Sequence, residues 1–221
     1  MIKDTDFDNY FEYENKFYLL SSTARIAKFA AHLELFRKIS DIPGDIVECG
    51  VYKAASLSRF IKFRALFENA ASKKMVAFDT FGEFPKATFD KDVKKRRQFI
   101  TEGGSRSISV KELEGLLDKL RLRENVELVK GNILITAPKY RKNNPHMKIS
   151  FLHIDVDLYE PTKVCLEEFY PLMSRGGIVV LDDYNKFAGA SKAIDDYFKG
   201  DSVKIRKLPY SGAVSYLEVG K

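Results

Sequence analysis

The sequence predicts an α/β fold in which a mostly parallel sheet of seven strands carries helices on both faces. Short apolar runs alternate along the chain with segments whose apolar residues recur at helical spacing, as strands and helices in alternation would. The last two apolar runs are separated only by the turn residues 209–212, which predicts an antiparallel hairpin. Strands joined through helices are parallel, so only this hairpin is expected to break the parallel order.

The strands are predicted where apolar runs end in turn residues or acidic residues. Their ranges are 45–50, 75–79, 126–130, 149–155, 178–182, 203–208 and 213–219. Helices are expected over 22–39, 54–67, 110–122 and 187–198, and from Pro161 to a break at 175–177. Residues 88–106 mix charged and aromatic side chains, and we interpret them as a partly helical, mobile segment that covers a site.

The length of 221 residues fits a single domain, with an N-terminal arm and helix (1–40) packed on the core formed by residues 41–221. The acidic, aromatic N-terminus lacks the order of a signal peptide, and no apolar run has the length of a membrane span. The two cysteines form no disulfide framework, which indicates a reducing compartment. We therefore expect a cytoplasmic protein without a membrane partner, and the arm leaves a homodimer open.

The net charge of +6 is a modest basic excess that comes largely from two local runs, 91–97 and 121–123. Such an excess can attract nucleic acid or anionic substrates. Solvated helix faces explain the same runs and are the favoured interpretation, so nucleic acid is an unlikely partner.

Four aspartates lie at or just beyond the carboxyl ends of two predicted strands: Asp155, Asp157, Asp182 and Asp183. Ligands of open α/β sheets bind at this edge, and residues two apart on a strand share a face. Neighbouring carboxylates raise one another's pKa, and a cation relieves the repulsion. Because all-oxygen ligation suits Mg²⁺, Mn²⁺ or Ca²⁺, we predict Asp155, Asp182 and Asp183 as metal ligands and Asp157 as a base beside them.

Structural roles are the alternative for these residues and their neighbours. Asp157 could cap the helix after Pro161, although capping explains one or two of the aspartates and not four. His153 alternates with the aspartates on its strand and could orient a carboxylate, but a satisfied interior histidine is the favoured interpretation. His32 and His146 give no functional signal.

The turn after the first strand, from Glu48 to Ser56, stands where nucleotide-binding folds bind phosphates. It has one glycine, Gly50, and lacks both the G-x-G-x-x-G pattern and the P-loop pattern. A ligand without phosphates needs less bare backbone, so this turn favours such a ligand. An ordinary tight β-to-α turn is the alternative.

Two further strand ends carry polar residues at positions that suit a nucleoside. Asp79 ends the second strand, where a carboxylate can accept hydrogen bonds from ribose hydroxyls. Gly131 and Asn132 end the third strand, where an adenine edge could be bound. Each signal is weak alone, and Asp79 could instead serve as a helix cap or loop acid.

Four segments of the chain resemble the macrocin O-methyltransferase family of class I enzymes, which use S-adenosylmethionine and have a Rossmann-like fold. They are GDIVECGV at 44–51, FDTFGEFP at 78–85, HIDVDLYEPT at 153–162 and PLMSRGGIVVLDDY at 171–184. The resemblance covers roughly residues 22 to 200. The last two segments together carry most of its specificity.

The resemblance implies a seven-stranded methyltransferase sheet and methyl transfer to a hydroxyl, often on a sugar of a natural product or glycan. By position, Asp155, Asp182 and Asp183 match the family's metal ligands, and Asp157 matches its proposed general base. The cofactor-binding positions that follow from it and from the strand ends are Glu48, Gly50, Val51, Ser56, Asp79, Thr80, Gly131, Asn132 and Asp155. The expected partners are S-adenosylmethionine, a divalent cation and a small-molecule hydroxyl acceptor.

The chain departs from the family pattern at three places. Residues 52–55 read Tyr-Lys-Ala-Ala where the family often has Trp and two glycines, and His153 stands where arginine is common. The segment 84–106 matches nothing in the family and is expected to face the acceptor. Two alternatives to small-molecule methylation stay open: a methyltransferase acting on nucleic acid or protein, and a non-catalytic metabolite-binding module with a vestigial site.

Overall fold

A computed structural model describes residues 9–87, 89–212 and 214–220 and shows a seven-stranded sheet in the order β3-β2-β1-β4-β5-β7-β6. The strands are β1 Asp45–Cys49, β2 Met75–Asp79, β3 Val126–Lys130, β4 Ile149–Ile154, β5 Met173–Leu181, β6 Arg206–Lys207 and β7 Ser215–Glu218. β1 to β5 pair in parallel, and β7 runs antiparallel to β5 and β6. The predicted fold class is confirmed.

Helices cover both faces of this sheet. They are α1 Tyr10–Leu20, α2 Thr23–Arg37, α3 Ala55–Phe67, α4 Asp90–Gly103, α5 Val110–Lys119, α6 Ile133–Asn143, α7 Tyr159–Phe169 and α8 Ala188–Tyr197. One apolar core lies between the sheet and α2, α3 and α5, and a second lies between the sheet and α6, α7 and α8. Neighbouring residues of β1, Ile46 and Val47, point into different cores, so the strand reads as a continuous apolar run.

The two N-terminal helices differ in packing. α1 buries none of its residues, whereas α2 buries Ala31, His32, Leu35 and Phe36. The division of the chain into 1–40 and 41–221 stays a prediction, and residues 1–8 lie outside the described residues. None of the described helices combines the length and the apolarity that a membrane span requires.

The second half of the chain corrects several predicted boundaries. β5 begins at Met173, so residues 175–177 lie within a strand and do not end the preceding helix. That helix, α7, stops at Phe169, and Pro171 follows in a single 3₁₀ turn because proline cannot donate the next helical hydrogen bond. The two terminal strands are shorter than predicted, and Ala213 lies outside the described residues.

The strands β4 and β5 end just before the acidic residues, at Ile154 and Leu181. In the segment 88–106, residues 90–103 form α4, so the expected partial helix is confirmed. Pro161 lies in the first turn of α7, at its third residue rather than its first. All of these loops and helix starts gather at one edge of the sheet.

Candidate active site

A cavity of about 690 Å³ opens at the carboxyl ends of β1 to β5. Every predicted site residue except Glu48 lines it: Gly50, Val51, Ser56, Asp79, Thr80, Gly131, Asn132, Asp155, Asp157, Asp182 and Asp183. Glu48 lies fully buried behind this wall. The fold therefore brings the residues of five separate loops to one place.

Gly50 lets the ends of β1 and β4 approach each other. It has a φ of +91°, and a Cβ added there would lie 1.8 Å from the carbonyl oxygen of Asp155. The backbone N–H of Asp155 donates to the carbonyl of Cys49 over 2.9 Å, which fixes the approach. The backbone of Asp155 is therefore the group that comes closest to this glycine.

Asp79 ties three loops together. Its Oδ2 accepts hydrogen bonds from the backbone N–H groups of Val51 (2.9 Å) and Tyr52 (3.0 Å). Its Oδ1 accepts from the N–H of Phe81 (2.7 Å) and the hydroxyl of Ser107 (2.6 Å). A carboxylate has about four acceptor positions. A ribose at this position would share or displace these donors, and the ribose contact stays a prediction.

Three of the four aspartates form a compact group of oxygen donors. Asp155, Asp157 and Asp183 each offer an oxygen within 4.8 Å of the others. The backbone N–H of Asp157 donates to Oδ2 of Asp183 over 2.8 Å. Asp157 has a φ of +62° and lies beyond the end of β4, so a turn brings it beside Asp155, and not the strand alternation that we had assumed.

Repulsion within this group is large. Burial and the charge of Asp155 raise the pKa of Asp157 to about 8. Burial and the charge of Asp157 also raise the pKa of Asp183 well above its ordinary value. Oxygen donors held this close fit a hard divalent cation, because the ion would stabilise the charged carboxylates.

Asp182, the remaining predicted metal ligand, is engaged by lysines. The ammonium of Lys28, on α2, lies 2.6 Å from Oδ2 of Asp182 and 3.5 Å from Oδ2 of Asp155. Lys186 lies 3.4 Å from the same oxygen of Asp182. Burial alone would lower the pKa of Lys28, but the two carboxylates outweigh burial and raise it. Lys28 therefore supplies a fixed positive charge at the cavity floor.

Sequence reasoning missed Lys28, although the helix gives a signal. Lys28 and His32 are four residues apart and so lie on one face of α2, followed by the buried Leu35. Polar residues at that spacing on a buried face need partners in the interior. The sequence alone does not say that this face meets the ends of β4 and β5.

Behind Asp182 lies a buried polar cluster. Nδ1 of His153 lies 3.1 Å from Oε1 of Glu48. Burial alone would lower the pKa of His153, but Asp182 and Glu48 raise it to about 9. Burial lowers the pKa of His32 to about 3, so His32 is neutral at pH 7. His153 is thus an interior residue, but its contact with Glu48 satisfies only one of its nitrogens.

The segment 84–106 forms one wall of the cavity. Its lining residues are Phe84, Pro85, Lys95, Gln98, Phe99 and Glu102. The ring of Phe99 packs on that of Tyr52 with centroids 5.1 Å apart, which joins α4 to the turn after β1. Arg25 and Arg59 add basic side chains from α2 and α3 to the lining.

The sheet order and the cavity at its carboxyl edge define a Rossmann-like class I methyltransferase fold. The calicheamicin methyltransferase CalS11 superposes with a TM-score of 0.79 at 29% identity, over 95% of this chain and 85% of that one. The O-methyltransferase NovP shares the fold with a TM-score of 0.72 at 21% identity, over 89% and 81% of the two chains.

The profile of the macrocin-O-methyltransferase (TylF) family matches residues 17–207, and the chain belongs to that family. A tetracenomycin rhamnosyl 4'-O-methyltransferase of Streptomyces olivaceus is 27% identical over 158 residues, covering 71% of this chain and 58% of that protein. Demethyldecarbamoylnovobiocin O-methyltransferase of Streptomyces niveus is 27% identical over 162 residues, with coverages of 72% and 59%. The matches span less than two thirds of the length of these relatives.

Proposed function

We propose that this protein transfers a methyl group from S-adenosylmethionine to a hydroxyl of a sugar on a small molecule, with the help of a divalent cation. The acidic group at the cavity floor is the observation that carries the proposal. It combines a carboxyl group whose pKa of about 8 suits proton transfer near neutrality with oxygen donors that suit Mg²⁺.

Each aspartate has a role in this proposal. Asp155, Asp182 and Asp183 would hold the cation, and Asp157 would accept the proton of the acceptor hydroxyl. A bound divalent cation supplies positive charge that lowers the pKa of a hydroxyl near it. The Lys28 ammonium donates to the cavity-facing oxygen of Asp182. To act as a metal ligand, Asp182 must therefore break this ion pair or bind Lys28 and the cation with the same oxygen.

The geometry also supports a second ligand set. Asp157, and not Asp182, completes the group of oxygens within 4.8 Å. The two assignments predict different behaviour of Asp157→Asn. A base variant would lose methyl transfer but keep Mn²⁺ binding, whereas a ligand variant would lose both.

The methyl donor would lie along the turn after β1 and the ends of β2 and β3. The residues of these loops that line the cavity are Gly50, Val51, Ser56, Asp79, Thr80, Gly131 and Asn132. Neither α3 nor the turn before it carries the glycine-rich pattern of a pyrophosphate site, which agrees with a donor that has no phosphate. Asp155 belongs to the acidic group and also lies beside Gly50, so it connects the two regions.

The relatives support a sugar acceptor. The Streptomyces olivaceus relative is named for methylation of a rhamnosyl group, and the apo structure of CalS11, at 28% identity and a TM-score of 0.70, is described as a TDP-rhamnose 3'-O-methyltransferase. The wall formed by α4 would contact this acceptor, because its side chains line the same cavity as the acidic group.

Calorimetric titration with S-adenosylmethionine, with and without Mg²⁺, tests the binding step. Incubation with sugar nucleotides and rhamnosylated small molecules, read by mass spectrometry, then tests methyl transfer. We expect donor binding, acceptor methylation and loss of activity in EDTA that Mg²⁺ restores. Absence of donor binding would contradict the proposed function, and full activity in chelator would contradict the metal role alone.

A further inference from the structure

His32, His153 and Asp182 meet in the interior from three different elements. His32 comes from α2, His153 from β4, and Asp182 follows β5. Both histidines are fully buried, and Asp182 is 2% exposed. Nε2 of His32 lies 3.8 Å from Oδ1 of Asp182, and Nε2 of His153 lies 4.0 Å from the same oxygen.

The three atoms that face one another are polar, buried and without a hydrogen-bond partner among the described residues. They are Nε2 of His32, Nε2 of His153 and Oδ1 of Asp182. Buried polar atoms nearly always have a partner, and His32, His153 and Asp182 each offer a ligand atom within 4.8 Å of those of the other two. Such a convergence indicates an occupant that satisfies all three at once.

The surroundings hold the two imidazoles in place. Oε1 of Glu48 contacts Nδ1 of His153 on the side away from Asp182, as the carboxylate does in carboxylate–histidine–metal arrangements. The ring of Phe60 stacks on His32 at 5.0 Å and meets His153 edge-on at 5.2 Å. Apolar rings and an outer carboxylate are typical of the shell around a metal site.

We propose that His32, His153 and Asp182 form a buried site for one divalent d-block cation, Zn²⁺ in the first place. Two imidazole nitrogens and one carboxylate oxygen suit zinc, whereas magnesium favours oxygen alone. An ion at about 2.0–2.1 Å from each donor needs the donors roughly 3.3–3.6 Å apart, so the separations of 3.8 and 4.0 Å from Oδ1 of Asp182 would shorten on binding, and a water would complete four-coordination.

This site is distinct from the cation site proposed at the cavity, although Asp182 has one oxygen on each side. The buried site uses Oδ1, and the cavity side uses Oδ2, which carries Lys28. An ion in the buried site would join α2 to the sheet and orient Asp182. Its role would be structural, and methyl transfer at the acidic group does not depend on it for its chemistry.

Cobalt(II) titration of metal-depleted, tag-free protein tests the proposal, because four-coordinate Co²⁺ bound by imidazole absorbs in the visible. We expect one equivalent to bind and to raise the melting temperature. His32→Gln and His153→Gln should each weaken binding at least 100-fold. His146→Gln is the matched control, because His146 is the third histidine of the chain and is exposed.

Three results would overturn the site: wild-type protein that binds no Co²⁺ or Zn²⁺, binding that survives in both buried-histidine variants, and binding that His146→Gln abolishes. The first result would leave a buried water as the occupant. If the buried-histidine variants fail to fold, X-ray absorption of the zinc-loaded wild type decides, since zinc without two imidazole ligands contradicts the proposal. Loss of this site leaves S-adenosylmethionine binding and Mg²⁺ dependence as separate tests of the proposed function.

Discussion

The two sides of Asp182 hold ionisable groups of different kinds. On the cavity side, Asp155, Asp157 and Asp183 form an all-oxygen group whose pKa values are raised. On the interior side, two imidazoles and the other oxygen of Asp182 face one another without solvent. Accessibility and donor type, and not proximity alone, therefore decide which ion each side suits.

The charge balance also differs between the two sides. Without a metal ion the interior side is compensated, since His153, with a pKa of about 9, is positively charged between Glu48 and Asp182, and a zinc ion bound there would displace that proton. The cavity side carries an excess of carboxylates that the ammonium groups of Lys28 and Lys186 offset in part. The cavity side is therefore the side on which an added cation changes the electrostatics most.

The largest expected effect is the loss of methyl transfer in Asp157→Asn. General-base catalysis contributes about 10²–10⁴-fold, so kcat should fall by roughly 10³-fold while S-adenosylmethionine binding is unchanged. Steady-state kinetics and calorimetry measure the two quantities. Asp196→Asn, a substitution on α8 outside the cavity lining, is the control and should keep its rate. A normal rate in Asp157→Asn would remove the base assignment.

Gly50→Ala should disturb the cavity side, where the ends of β1 and β4 meet. The new Cβ would meet the carbonyl oxygen of Asp155 at 1.8 Å and would require a φ of +91°. Left-handed strain and overpacking together should lower the free energy of unfolding by about 3 kcal/mol or more. Urea denaturation measures this loss. Gly115→Ala in α5 is the control, because its Cβ meets nothing within 4 Å, and it should be neutral or slightly stabilising.

More of the fold than of the candidate site could be predicted from the sequence. The buried strands were predictable because apolar runs such as Asp45–Cys49 and Met75–Asp79 mark parallel strands that are covered on both faces. The start of β5 at Met173 was not, since residues 175–177 look like a helix end. Local patterns do not distinguish a glycine turn from a bulged strand.

The acidic cluster was predictable as a gathering of strand ends, but its partners were not. Lys28 and His32 reach it from α2, more than 120 residues earlier in the chain than Asp155 and His153. Which face of α2 meets the sheet depends on the packing of Leu35 and other apolar residues. That packing is a property of the whole fold and leaves only a weak trace in the sequence of the helix.

Asp157 on the cavity side and His32 on the interior side should give opposite pH dependences of stability in chelator. Asp157 has its pKa raised to about 8, so the folded state keeps a proton that the unfolded state loses above about pH 4, and stability falls as pH rises through that window. His32 has its pKa lowered to about 3, so stability rises with pH from about 3 to 6.5. The difference between wild type and Asp157→Asn isolates the first contribution.

Between pH 5 and 7, this difference should change by about 1 kcal/mol per pH unit, with wild type losing stability relative to the variant. Urea denaturation across that range measures it. Added Mg²⁺ should flatten the difference, because a cation stabilises the charged form of Asp157. Parallel pH profiles for the two proteins would show that the carboxyl group of Asp157 has an ordinary pKa.

The smallest expected effect is on metal affinity in Lys28→Met. The ammonium of Lys28 repels a cation at the cavity side, and a unit charge about 4 Å away contributes roughly 1–4 kcal/mol. We expect Mn²⁺ to bind about tenfold tighter, as measured by electron paramagnetic resonance. Lys38→Met, at the exposed C-terminal end of α2, removes the same net charge and should leave the affinity unchanged. Weaker Mn²⁺ binding in Lys28→Met would mean that Lys28 holds Asp155 and Asp182 in place for the ion rather than competing with it.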